Sequence, residues 1–152
     1  MNHHYFAYGS NMNPDRVRER GLRFESATGA VLEGFRLVFN KVSRAHAGVG
    51  HANIQLAPGE RVEGVLYELR DNEEIRKMDR FESTPINYSR DLIEVRVGAV
   101  YRVTWTYFAN PAGRQRGLQP PRSYLQHLLA GREYLSEEYF LALSQVGCDE
   151  TR

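Results

Sequence analysis

Strand-forming runs fill the first two thirds of this chain and helical spacing gathers in the last third, an order that restricts it to few architectures. An aromatic run ends at Tyr8. Strand patterns follow at residues 31–40, at 52–56, and at 62–69 after a turn expected at Pro58-Gly59. Two more runs, 88–97 and 100–109, are joined tightly at Gly98. About six strands with little helix between them predict an α+β fold whose sheet is strongly curved or closed, because closure removes exposed edges.

The helical signals are local and chemical. Asn13 before Pro14 and Asp15 reads as a cap with proline at the first helical position, and Gly21 closes that short helix. Asp71 with Glu74 three residues on predicts a capping box, opening a helix through Ile75 and Met78 toward Phe81. Tyr124, Leu125, Leu128 and Leu129 recur at helical spacing before Gly131, and Ser136 caps a last helix whose first turn holds Glu137 and Glu138. The intervening residues 110–121, rich in Gly, Pro and Arg, form a loop long enough to lie over a pocket.

A length of 152 residues predicts a single domain, 1–152, with a core of its own. Twenty Lys and Arg against 19 Asp and Glu leave a charge of +1, which gives nucleic acid or an anionic membrane no electrostatic purchase. A small-molecule partner is expected instead. The lone Cys148 excludes an intrachain disulfide and suits a reducing, cytoplasmic setting, while the polar start and the lack of a long apolar run predict neither secretion nor insertion.

The usual catalytic signatures are missing. There is no GxSxG elbow, P-loop, HExxH or paired-cysteine motif. Histidines at 3, 4, 46, 51 and 127 lack ligand spacing, and surface or loop roles are expected for each; His3 and His4 alternate along a strand and cannot face one metal. Neither a metal nor a nucleophilic side chain is predicted.

Two segments do carry chemistry. After Tyr8, the residues Gly9, Ser10 and Asn11 form a turn suited to presenting successive backbone N–H groups, which bind a carboxylate or an oxygen that becomes negative during reaction. Glu82 ends the helix begun near Asp71, beside Phe81 and ahead of Ser83-Thr84-Pro85. Aromatic surroundings and the negative end of a helix dipole disfavour its charged form, raising its pKa toward the range of a general base.

Together these segments make the chain resemble the γ-glutamylcyclotransferase-like family, which includes AIG2-like and butirosin-type members. Phe39-Asn40-Lys41 with Ser43, the run Gly50-His51-Ala52-Asn53-Ile54, Pro58-Gly59, and Val62 through Leu69 resemble its central strands. Met78-Asp79-Arg80-Phe81-Glu82 with Pro85 and Tyr88 resembles its acidic motif, and Tyr107 through Asn110, Pro120-Pro121, Tyr124, Leu125 and Gly131 extend the likeness. Met78 stands where the family usually has leucine, and Ser83 where glycine commonly follows the catalytic glutamate. A need for positive φ there would strain the serine.

The resemblance implies a small barrel of mixed β-sheet with a few peripheral helices. It also implies cyclisation of a γ-glutamyl amide by its own α-amine, releasing 5-oxoproline and an amine or amino acid without metal or cofactor. Glu82 would be the acid/base, Tyr8, Gly9, Ser10, Asn11 and Tyr107 would hold substrate, and Tyr88 and Tyr124 are weaker candidates. Lys41, Arg44, Arg114 and Arg116 are loop cations within reach of a substrate carboxylate, and none is assigned. A monomer or homodimer is expected. The alternatives are a silent ligand-binding member of the same fold, motivated by Ser83, and a transferase that removes a γ-glutamyl protecting group in a biosynthetic pathway.

Overall fold

A computed structural model describes residues 3–150. Among them five strands close into a barrel in the order β1-β3-β2-β4-β5. The strands are β1 (His4–Ala7), β2 (Phe24–Val42), β3 (Gly50–Leu69), β4 (Tyr88–Val97) and β5 (Val100–Ala109). All neighbours pair antiparallel except β1 and β5, which run parallel and meet in register at Tyr5 and Trp105. The sheet is therefore closed, as the strand-rich sequence predicts, and mixed, as the resemblance implies. His3 lies just before β1, and its ring stacks on His4 at 5.2 Å instead of alternating with it.

The turn expected at Pro58-Gly59 does not form. Glu33 pairs with Arg61 and Phe35 with Leu56, so β2 stays bonded on both sides of residues 57–60, which bulge opposite Gly34. Gly34 and Gly59 both take positive φ, +83° and +85°, letting the ribbon bend without breaking. Two expected strands are thus one.

Both faces of β1 are buried. Tyr5 and Ala7 join Met12, Val17, Ile75, Met78, Leu125 and Leu128 beneath the helices. Phe6 and Tyr8 join Leu32, Ile54, Val62, Leu66 and Val95 in a second cluster built from strand residues. Strands buried on both faces read as continuous apolar runs, which is why Tyr5 through Tyr8 shows no alternation.

Among the described residues four α-helices pack around the barrel: α1 (Pro14–Glu19), α2 (Glu74–Phe81), α3 (Arg122–Leu129) and α4 (Glu137–Ser144). Asn13 caps α1 by accepting from the Asp15 N–H at 3.1 Å, and Ser136 caps α4 by accepting from the Tyr139 N–H at 3.2 Å. The capping box at α2 is absent. Asp71 instead accepts from the Glu73 N–H, while the Glu74 carboxylate turns inward to take the Arg23 N–H and Nε at 3.0 and 3.1 Å. Tying α2 to the start of β2 satisfies a buried charge that a local cap would have left in solvent.

The segment 110–121, expected to be able to lie over a pocket, contributes no residue to the cavity described below. Gln115 N–H donates to Asn40 O, Gly50 N–H to Gln119 O, and Gln119 N–H to Gly48 O, which pins the loop to the turn end of the β2–β3 hairpin. Among the described residues no helix is long and apolar enough to cross a membrane.

Candidate active site

Where β1 leaves the barrel, a 3-10 turn at Ser10–Met12 follows Gly9, closed by the Met12 N–H donating to Gly9 O at 2.9 Å. A side chain at Gly9 would bring a Cβ within 3.1 Å of both the Ala52 Cβ and the Tyr124 hydroxyl, so only glycine lets the chain pass there undisturbed. The turn is braced from three sides. Tyr67 donates to Asn11 O at 2.6 Å, Asn11 Nδ2 donates to Tyr5 Oη at 3.0 Å, and Arg20 donates to Asn11 Oδ1 at 3.0 Å. The Asn11 side chain is thus committed to the fold.

This turn forms one wall of a cavity of about 240 Å³. All eight residues nominated from the sequence line it: Tyr8, Gly9, Ser10 and Asn11 from the turn, with Glu82, Tyr107 and the weaker candidates Tyr88 and Tyr124. Arg44, Arg114 and Arg116 do not. Lys41 does, but from inside β2 instead of a loop; it is buried and donates to Val42 O at 2.8 Å.

Glu82 is the residue at which α2 stops, its N–H still bonded to Met78 O at 3.0 Å. Ser83 then takes φ of +51°, so the glycine common at this position in the resembled family has a conformational reason and the serine is strained. The Ser83 carbonyl accepts from the Ile86 and Asn87 N–H groups, which holds the segment after Glu82 in place. Burial pushes the Glu82 carboxyl up to about 7; Arg20 and Arg16 oppose that rise and Asp79 adds to it. A carboxyl poised near neutrality is able to take and return a proton.

The tyrosines around Glu82 have fixed polarity. Tyr8 donates to Tyr107 O at 2.6 Å, Tyr88 to Ala52 O at 2.8 Å, and Tyr107 to Asp79 Oδ1 at 2.6 Å. Their protons are spent, so toward the cavity these three offer only lone pairs. Tyr124 is the reverse: its oxygen accepts from the Ala52 N–H at 3.1 Å, with the Ser10 amide as a second backbone donor, and its proton is available. Tyr5 likewise accepts from Asn11.

Sequence reasoning missed four cavity-lining residues outright. Arg16 and Arg20 reach the cavity from α1 and its C-cap; among the described residues neither forms an ion pair, and Arg16 Nε donates to Ser10 Oγ at 3.2 Å. Their signal was present, since they stand four apart just beyond the Gly-Ser-Asn turn and so share a helix face. His51, assigned to a surface or loop, lies in β3 at the cavity wall; burial first, then Lys41 and Arg16, lowers its pKa and keeps it neutral. Asn87 also lines the cavity, without a signal that would have found it.

The sequence model of the family described as gamma-glutamyl cyclotransferase, AIG2-like, matches residues 5–127. No curated protein matches the chain. Among solved structures, a gamma-glutamyl cyclotransferase is similar over 97% of this chain and 89% of its own, with a TM-score of 0.82 and 24% identity. YkqA from Bacillus subtilis is similar over 96% of this chain but 55% of its own length, with a TM-score of 0.76 and 25% identity. A yeast gamma-glutamyl cyclotransferase specific to glutathione shares the fold at 14% identity, with a TM-score of 0.63 over 92% of this chain and 93% of its own.

Proposed function

The chain belongs to the AIG2-like gamma-glutamyl cyclotransferase family, and from that membership we propose that it cyclises γ-glutamyl amides, with Glu82 as the acid/base. The observation that carries the reading is that Glu82, raised to about 7, lines the same cavity as the residues of the Gly9–Asn11 turn. In the first step Glu82 takes a proton from the substrate α-ammonium. The freed amine attacks the γ-carbonyl carbon, forming the ring C–N bond and a tetrahedral oxyanion. Collapse breaks the bond to the leaving nitrogen, which receives the proton from Glu82; the carboxylate so regenerated takes the second proton from the ring nitrogen, and that proton leaves with the released amine as its ammonium. The products are 5-oxoproline and a free amine or amino acid. Because the nucleophile is part of the substrate, the protein's task is to hold the folded conformer and stabilise charge.

The remaining groups divide by polarity. The lone pairs of Tyr8, Tyr88 and Tyr107 suit the ammonium before it is deprotonated. The unpaired guanidiniums of Arg16 and Arg20, with Lys41, suit the α-carboxylate. The amides of Gly9 and Asn11, with the Tyr124 hydroxyl that the Ser10 amide helps to hold, suit the oxyanion. The reaction needs only water-soluble components, and the cytoplasm is the proposed compartment.

The test is formation of 5-oxoproline from a panel of γ-glutamyl amino acids and γ-glutamyl amines by the purified protein and by Glu82→Gln. Turnover by the parent on at least one substrate and none by the variant is expected. Full turnover by Glu82→Gln would remove Glu82 from the mechanism.

A further inference from the structure

Arg90 of β4 and Tyr107 of β5 are registered cross-strand partners, and both reach one carboxylate on a third element. Arg90 Nε and Nη2 donate to the two oxygens of Asp79 at 2.8 and 2.9 Å, the fork-on-carboxylate geometry that holds both partners in one plane. Tyr107 Oη donates to Oδ1 of the same carboxylate at 2.6 Å. The guanidinium also lies 4.3 Å from the Trp105 ring centre, so a second residue of β5 fixes its plane. Arg90 and Asp79 are 22% and 21% exposed, shielded enough for their charges to act on neighbours. Asp79 sits on α2 three residues, about one turn, before Glu82.

We propose that Arg90 is a positioning residue: through Asp79 it holds Tyr107 with its lone pairs toward the cavity and governs how readily Glu82 takes up a proton. The inference rests on the reading of Glu82 as the general base, yet its physical content is measurable without turnover.

The charges facing Glu82 show why Arg90 matters. From α1 come Arg16 and Arg20, from β2 Lys41, and from β3 the neutral His51. Hydroxyls surround it from β1, β4, β5 and α3: Tyr5 and Tyr8, Tyr88, Tyr107, and Tyr124. Asp79 adds a carboxylate to this company, and its charge favours protonated Glu82. Arg90, which does not line the cavity, neutralises that charge. Without Arg90, Asp79 acts on Glu82 at full strength and loses its fixed plane; without the Asp79 charge, Arg90 becomes one more cation drawing the proton off Glu82.

The experiment is an NMR titration of the Glu82 side-chain carboxyl carbon in full-length protein, assigned by its loss in Glu82→Gln. Asp79→Asn keeps an acceptor for Tyr107 and removes the charge, and it is expected to lower the Glu82 midpoint by about one unit. Arg90→Gln is expected to raise it by about one unit, and Arg90→Lys to leave it near the parent's. The double variant Asp79→Asn/Arg90→Gln should return toward the parent. If Arg90→Gln does not fold, Asp79→Asn and Arg90→Lys still decide the matter. Midpoints unchanged in Asp79→Asn, or moved the same way by both single substitutions, would overturn the proposal. Assaying 5-oxoproline in the same samples separates the two readings: opposite shifts without turnover in the parent sink the general-base reading alone, and turnover with unmoved midpoints sinks the Arg90 proposal alone.

Discussion

The Tyr8 hydroxyl donates to the Tyr107 carbonyl at 2.6 Å, a bond from the residue just after β1 to the C-terminal part of β5. The parallel seam between these strands holds a single ladder pair, and the Thr106 hydroxyl adds a second stitch to Phe6 O at 2.9 Å. Side chains thus share the closing of the barrel beside the cavity. Tyr8→Phe removes a buried donor and leaves a carbonyl without its partner, so a loss of about 1–3 kcal/mol is expected in urea unfolding, and Thr106→Val should cost a similar amount.

Glu82→Gln should lower the rate of cyclisation by about 10²- to 10⁴-fold, the range associated with removing a general acid/base. Single-turnover kinetics with a γ-glutamyl amino acid would measure it. Substrate affinity should change less than the rate, because the turn amides and cavity cations remain in place.

The rate should also report the carboxyl directly. A base raised to about 7 is protonated in acid, so kcat/KM is expected to rise with pH and level off above about 7. An acid limb near the ordinary glutamate value would contradict the role.

The same carboxyl links pH to folding, with a sign opposite to that of a salt-bridged acid. Its pKa stands above the 4.5 of an unfolded chain, so between 4.5 and about 7 the native state keeps a proton the unfolded state has lost. Glu82 therefore weakens the fold progressively as pH climbs through that window. Glu82→Gln should be more stable than the parent at pH 8, by about 1–3 kcal/mol, and nearly equal to it below pH 4.5. Denaturant melts at the two pH values check both halves.

Ser83→Gly relieves a residue held at φ of +51°, and a gain of about 1 kcal/mol in stability is expected. A rise in Tm measured by calorimetry, with cyclisation retained, would show that the strain at Ser83 is a matter of stability and is not needed by Glu82.

What could be read from the sequence was local. The caps at Asn13 and Ser136, the Gly-Ser-Asn turn and the helix end at Glu82 follow from residues within a few positions of one another, and each stands where expected. Closure of the sheet was legible as well, since so many strands have to hide their edges. The failures all involve partners far along the chain. Pro58-Gly59 looks like a turn until β2 is present to stay bonded on either side of it. Glu74 looks like half of a capping box until Arg23 arrives, 51 residues away, with two donors. His51 looks like a loop histidine because its burial depends on Tyr124, whose ring lies 4.8 Å from its own.

Ala52 supplies two anchors from one residue: its carbonyl takes the Tyr88 proton and its N–H meets the Tyr124 oxygen. One peptide segment of β3 thereby dictates that one of these tyrosines shows the cavity a lone pair and the other a proton. Because both anchors are main-chain atoms, that instruction is written in the path of the strand and not in the identity of residue 52. A lineage could drift at this position, within the space beside Gly9, and still inherit the same arrangement of donors and acceptors.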